Sequence, residues 1–226
     1  MITATNSAGV TAEEIVCPPN VTDFAVAGRA QHSSTQPESG VGFSILTVCT
    51  GNVCRSPAVE RLLGEKLGPT VSIHSAGTHA LVGQPMSEPM ARLLRSRGLE
   101  ERAFAARRLT KNMVKEADLV LALTRAQRSL VVDLFPPAVR RTFTLREFAR
   151  LLQHVNPSAM SGGSPGQRLR IAVPLAVATR GLGSISTESD DVIDPYRLSD
   201  EVYATSLAEI TAAVTTIAGA LIPGAA

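Results

Sequence analysis

Residues 43 to 67 leave this chain little freedom. Phe43-Ser44-Ile45-Leu46-Thr47-Val48 is an apolar run with β-branched members, strand-like in composition and length. From Pro57 to Leu67 the period changes: Val59, Leu62, Leu63 and Leu67 share one helical face, with Glu60, Arg61 and Lys66 elsewhere. What joins them, Cys49-Thr50-Gly51-Asn52-Val53-Cys54-Arg55-Ser56, is short enough only for a tight loop. A cysteine opens this loop and an arginine closes it, with five residues between them. Successive backbone N–H groups in such a loop wrap a tetrahedral oxyanion, backed by the positive end of the following helix. Gly51 permits close backbone approach or positive φ, Ser56 suits the N-cap, and Pro57 suits the first helical position. The same electropositive setting suits a thiolate nucleophile at Cys49. Arg55 adds a planar fork matched to phosphate oxygens. A Cys–Arg pair at this spacing is common by chance; the preceding strand, the Gly-Asn core and the Ser-Pro helix start make it a phosphate-cradling cysteine site.

The remaining pattern builds a sheet around this unit. Val71-Ser72-Ile73 is a short second strand, followed by a turn of small residues at Ser75-Ala76-Gly77-Thr78 that suits packing beside a neighbouring loop. A helix over about 87–97 carries Met90, Leu93 and Leu94 inward and Gly98 past its end. Thr110 caps a short helix to Ala117, and Leu119-Val120-Leu121-Ala122-Leu123 reads as a strand covered on both faces. A helix over 125–134, a strand over Thr142–Leu145 and a helix from Arg146 to Gln153 follow. This alternation predicts an α/β fold: a four-stranded parallel sheet with helices on both faces and the phosphate loop after strand one. In such sheets ligands sit at the carboxyl ends of strands, where Cys49 falls. A last helix begins at Ser199 with Asp200 and Glu201 in its first turn. It keeps Leu207, Ile210, Val214, Ile217 and Leu221 in steps of three and four, a core stripe.

On Val48 to Pro57 the chain resembles the low-molecular-weight protein-tyrosine phosphatases, and Asp194-Pro195-Tyr196 matches that family's second motif. The Ser-Ala-Gly stretch after strand two extends the likeness, which covers about residues 43 to 222. The resemblance implies a metal-independent, cofactor-free phosphatase with Cys49 as nucleophile and a phosphocysteine intermediate. It implies that Arg55 and the loop from Thr50 through Gly51, Asn52, Val53 and Cys54 hold the phosphate, with Asn52 bracing the loop. Asp194 becomes the general acid and Ser56 the donor that helps the thiolate leave. Asp190 and Asp191 stand near enough in sequence to rival Asp194. Cys54 is left with two roles, packing or a reversible disulfide with Cys49.

The same likeness implies a phosphotyrosine-containing protein as substrate, since tyrosine-directed members carry Ile or Val where this chain has Val53, and arginine-directed members Thr. Its pocket wall would be Leu81, Tyr196 and Arg197, where aromatics are common at the first and third positions. A protein-arginine phosphatase is the alternative, and a non-catalytic phosphate-binding module the second alternative, disfavoured because nucleophile and acid are both present. A thioredoxin-coupled arsenate reductase needs a further cysteine pair after Cys54, which is absent.

Composition narrows the field further. Aromatics make up 4% with no Trp, which argues against a base-stacking surface, and a net charge of +2 implies no polyanion partner. No apolar run of about 18 residues suggests a membrane span. Three cysteines fit no disulfide framework, and the N-terminus lacks the basic and apolar regions of a signal peptide, so the expected compartment is the cytoplasm and the expected state a monomer. Residues 1–40 show no period and read as a flexible extension, in which Cys17 is an incidental thiol and Val21 to Ala30 a segment able to cover an edge. Residues 41–226 read as the phosphatase domain, with an insertion at about 155–191. Within it, Gln167 to Thr179 is helix-prone but kinked or divided by Pro174, and is expected beside the acid loop. His74 and His79 have packing or surface roles, and no residue set has metal-ligand spacing.

Overall fold

The computed structural model describes residues 42–99, 103–160, 162–180 and 190–222. These belong to a compact unit that runs from Gly40 to Ala226. The 1–40 extension, with Cys17 and the Val21–Ala30 segment, lies outside the described residues, as does Glu188, which precedes the acidic pair Asp190 and Asp191.

Four strands, β1 (Phe43–Cys49), β2 (Val71–Gly77), β3 (Leu119–Ala122) and β4 (Thr142–Thr144), form one parallel sheet in the order β2-β1-β3-β4. A four-stranded parallel sheet is what the sequence predicts; the strand order is set by the fold. The chain leaves β1 for one neighbour and returns for the other, so the strand order reverses beside β1, the place where open α/β sheets bind ligands.

Alternation along β1 divides the core. Ile45 and Cys49 face a large cluster with α1 (Arg55–Leu67), α2 (Glu88–Arg95), α5 (Leu145–Leu152), α6 (Pro165–Thr179) and α7 (Asp200–Leu221). Leu46 and Val48 face a smaller one with α3 (Lys111–Glu116) and α4 (Arg125–Leu134). Thr47 is fully buried, and its hydroxyl donates to the Ser56 carbonyl at 2.9 Å, tying the strand to the first turn of α1. α7 is long and apolar enough to cross a membrane by length and composition, with a mean hydropathy of 1.3 over its best window. Here its stripe of Leu207, Ile210, Val214, Ile217 and Leu221 is buried in the core.

Several boundaries differ from the sequence reading, each for a tertiary reason. β2 continues through Ser75-Ala76-Gly77, because these residues pair in register with Thr47, Val48 and Cys49. α1 begins at Arg55 instead of Pro57, and Ser56 is inside it; Cys54 occupies the N-cap without a side-chain bond. α5 begins at Leu145, set by a capping box between Thr144 and Glu147. Pro174 does not divide α6, which is one helix from Pro165 to Thr179. The proline is on the exposed side, where water can satisfy the carbonyl it frees. The start of α6 lies away from the acid loop. A Cβ on Gly166 would stand 2.8 Å from the Thr70 carbonyl and 3.2 Å from Phe43 Cβ, which puts the helix start at the end of β1 remote from Cys49.

Candidate active site

The loop from Thr50 to Cys54 is held by its carbonyls. Those of Cys49, Thr50, Gly51 and Val53 accept from the N–H groups of Thr78, His79, Leu81 and Ser87 at 2.9, 2.9, 3.0 and 2.7 Å. A trans peptide points its N–H opposite to its C=O. Turning these carbonyls outward therefore turns the N–H groups of Thr50, Gly51, Asn52 and Cys54 inward, a concave nest of positive dipoles at the start of α1. The segment after β2 thus shapes the loop.

Close approach at this seam explains Gly77. A Cβ there would lie 2.5 Å from the Thr50 carbonyl and 3.0 Å from the Asn52 nitrogen. Asn52 adopts the left-handed conformation, φ 55°, which asparagine tolerates better than most residues. Its fully buried amide donates to Ser56 Oγ at 3.0 Å and Ser75 Oγ at 2.9 Å, and accepts from the Arg107 N–H at 2.8 Å. One amide fastens loop, helix, strand and the approach to α3 together.

Cys49 Sγ lies at the base of the nest, 2% exposed. The Asn52 N–H donates to it at 3.2 Å, and Ser56 Oγ stands 3.0 Å away. Because Asn52 already donates to the Ser56 oxygen, the single hydroxyl hydrogen is free for another acceptor. The sulfur at 3.0 Å is nearer than the Ala76 carbonyl at 3.4 Å. Arg55 is 3% exposed, with Nη1 donating to the Val192 carbonyl at 3.3 Å and Nη2 paired with Asp194 Oδ2. Its buried Nε has no hydrogen-bond partner among the described residues.

Asp194 arrives on the segment between α6 and α7. Its Oδ1 accepts from the Tyr196 N–H at 3.2 Å. The segment is pinned on both sides: Val192 N–H donates to the Leu123 carbonyl at 2.8 Å, Ile193 N–H to Glu209 Oε2 at 3.0 Å, and Ser206 Oγ to the Ile193 carbonyl at 3.0 Å. The rival carboxylates are engaged elsewhere. Asp190 pairs with Arg150 at 3.0 Å, and Asp191 accepts from the Arg125 N–H at 2.7 Å at the start of α4.

Cys49, Thr50, Gly51, Val53, Cys54 and Arg55 thereby meet Leu81, Asp194 and Tyr196 around a pocket of about 130 Å³. His79 completes the rim. Arg197, expected in the wall, is not among its lining residues; at φ 63° it turns back so that its guanidinium lies 5.1 Å from the Tyr196 ring centre. Ser56 and Asn52 stand behind the loop and act on it from there.

Sequence reasoning missed three supporting groups. Gln127, 5% exposed on α4, accepts from the Leu123 N–H at 3.1 Å and donates to Thr50 Oγ1 at 3.0 Å, fixing the first residue of the loop. Ser87 and Tyr203 form a hydroxyl pair at 2.8 Å, and Tyr203 Oη reaches Cys54 Sγ at 3.7 Å. Arg107 bonds the loop through its backbone and the Ser75 carbonyl through Nε at 2.8 Å. A glutamine or tyrosine on an apolar helical face was the available signal for the first two; backbone donation by Arg107 leaves none.

Residues 44–157 match the family described as low molecular weight phosphotyrosine protein phosphatase. A protein-arginine-phosphatase of Geobacillus stearothermophilus is 40% identical over 106 residues, 47% of this chain and 71% of that protein. The low molecular weight protein-tyrosine-phosphatase Etp of Escherichia coli K12 is 40% identical over 99 residues, 44% of this chain and 66% of that protein. The solved tyrosine phosphatase Wzb of Escherichia coli K30, in complex with sulphate, shares the fold at a TM-score of 0.57 and 26% identity, over 77% of this chain and 95% of that one. The matched residues contain most of the strand, the loop and α1: this chain belongs to the low-molecular-weight phosphotyrosine protein phosphatase family.

Proposed function

We propose that this protein is a cysteine-dependent phosphatase that hydrolyses phosphotyrosine in phosphoprotein substrates through a phosphocysteine intermediate. The observation that carries the reading is the position of Cys49 Sγ, within 3.2 Å of both the Asn52 N–H and Ser56 Oγ, in one pocket with Arg55 and Asp194. On this reading the Cys49 thiolate attacks phosphorus while Asp194 gives its proton to the departing phenolate oxygen as the P–O bond breaks. Loop N–H groups and the Arg55 fork hold the equatorial oxygens as their charge redistributes. Water then attacks the phosphocysteine, Asp194 takes the proton, and the Ser56 hydroxyl receives the sulfur as the P–S bond breaks. No step calls for a metal or cofactor, and one copy of the chain supplies every group. We assign the enzyme to the cytoplasm.

A second reading, removal of phosphate from phosphoarginine, is favoured by the arginine phosphatase among the relatives. The pocket wall argues for tyrosine. Val53, Leu81 and Tyr196 give a phenyl ring apolar contact, and Val53 has no oxygen to accept from a guanidinium. Steady-state assays on phosphotyrosine and phosphoarginine peptides decide between them. Phosphotyrosine should turn over faster, chelation should change nothing, Cys49→Ser should lose turnover, and Val53→Thr should shift the ratio toward phosphoarginine. Faster phosphoarginine hydrolysis by the wild type would install the second reading.

A further inference from the structure

Beside the pocket runs a second cavity of about 480 Å³, between α4 and the acid segment. The two share Thr50, Arg55, His79 and Asp194, so the groove borders the site over Cys49. One wall is apolar. Ala126 and Leu130 lie four residues apart on α4, hence on one face, and Leu130 is 45% exposed although it is a large aliphatic side chain. The opposite wall is fixed in place, because Asp191 is bonded to the first N–H of α4 at 2.7 Å. The rim offers Thr78, Thr124 and His79, side chains able to bond a peptide backbone.

We propose that this groove takes the residue adjacent to the phosphorylated one in the substrate chain, and that it selects an apolar side chain resting on Ala126 and Leu130. The proposal builds on the phosphotyrosine reading and extends it to the sequence around the target residue. The shared border with the reaction pocket identifies the occupant: a chain whose phosphate sits over Cys49 has its neighbouring residue within reach of α4. An acidic neighbour is disfavoured: Asp191 lines the groove, the lining cation Arg55 is already paired with Asp194, and Leu130 offers no hydrogen bond.

Phosphotyrosine peptides carrying Leu, Gly or Asp immediately before or after the phosphorylated residue test this, with 4-nitrophenyl phosphate as the substrate that has no neighbour. For the wild type, kcat/KM should be about five- to tenfold higher with Leu than with Gly at one of the two positions, the scale of partly burying a leucine. Asp should be the poorest. Leu130→Ala should erase most of this preference, and Ala126→Lys should turn it toward Asp, while both variants keep hydrolysis of 4-nitrophenyl phosphate within about twofold. A preference equal in the wild type and Leu130→Ala, or no preference at either position, overturns the groove assignment. Failure of the wild type to hydrolyse 4-nitrophenyl phosphate overturns instead the underlying phosphatase reading, and binding of the same peptides to Cys49→Ser then decides the groove without turnover.

Discussion

Cys49 and Cys54 are both buried thiols of one loop, yet their surroundings differ in kind. Cys49 Sγ is met by the Asn52 N–H and the Ser56 hydroxyl, donors placed to hold a sulfur anion. Around Cys54 burial dominates, pushing its thiol from the ordinary 9.0 up to about 11 against the opposing pull of the Tyr203 and Ser87 hydroxyls. At neutral pH Cys54 therefore keeps its proton and is a poor attacking group for disulfide exchange, which favours the packing role of the two left open by the sequence. The raised value also fixes a sign. The folded state binds the proton more tightly than the unfolded one, so this contribution is complete below about pH 9 and is lost as pH climbs toward 11. Its size is on the order of 3 kcal/mol. Tyr203, whose own value is raised mainly by burial, acts in the same direction above its ordinary 10.0. Denaturant unfolding across this range should show the wild type losing more stability than Cys54→Ala. Parallel curves for the two would show that Cys54 does not carry the effect.

At the scale of elements, the acid segment is held by its neighbours: Asp190 to α5, Asp191 to α4, and the backbone of Ile193 to Glu209 and Ser206 of α7. Only Asp194 of the three aspartates lines the pocket over Cys49. Asp194→Asn should slow poor leaving groups by about 10²–10⁴-fold and activated aryl phosphates far less, because only a basic departing oxygen needs a proton. Asp190→Asn and Asp191→Asn should leave the leaving-group slope unchanged; a steepened slope in either would move the acid. The order of strands and helices and the loop itself were readable from the sequence, because each depends on local period and spacing. Other features were not. Ser75-Ala76-Gly77 has little strand propensity and is made a strand by register with β1, and Gly77 answers to a backbone that lies 27 residues earlier at Thr50. Gln127 reads as an ordinary polar position until the fold brings it under Thr50. The Arg197 expectation failed because a positive φ carries its side chain back over Tyr196.

Across the molecule, the sheet separates chemistry from support. Phe43 and Cys49 stand at opposite ends of β1, roughly 20 Å apart at the strand rise. A tightly packed glycine marks each end. Gly77 abuts the reaction loop, with Thr50 O only 2.5 Å from where a Cβ would be. Gly166 abuts Thr70 O at 2.8 Å and Phe43, where α6 docks on the far end of the sheet. Both sites meet backbone atoms, which cannot rotate away as a side-chain tip can. Gly77→Ala and Gly166→Ala should therefore each cost about 1–3 kcal/mol of stability, the usual scale of overpacking. Their effects on turnover should part. Displacing the Thr50 peptide tilts the N–H nest and moves Asn52, whose side-chain amide positions Ser56 and whose backbone N–H donates to Cys49, and a misplacement of about 1 Å at such a site costs on the order of 10²-fold in rate. Displacing the start of α6 strains Thr70, just before β2, and strand residue Phe43 but leaves the loop bonds to Thr78, His79, Leu81 and Ser87 intact. The measurement is kcat/KM on 4-nitrophenyl phosphate at a temperature where circular dichroism shows both variants folded. Gly166→Ala should match the wild type and Gly77→Ala should fall far below it; an equal fall in both would mean that the sheet transmits strain from one end to the other.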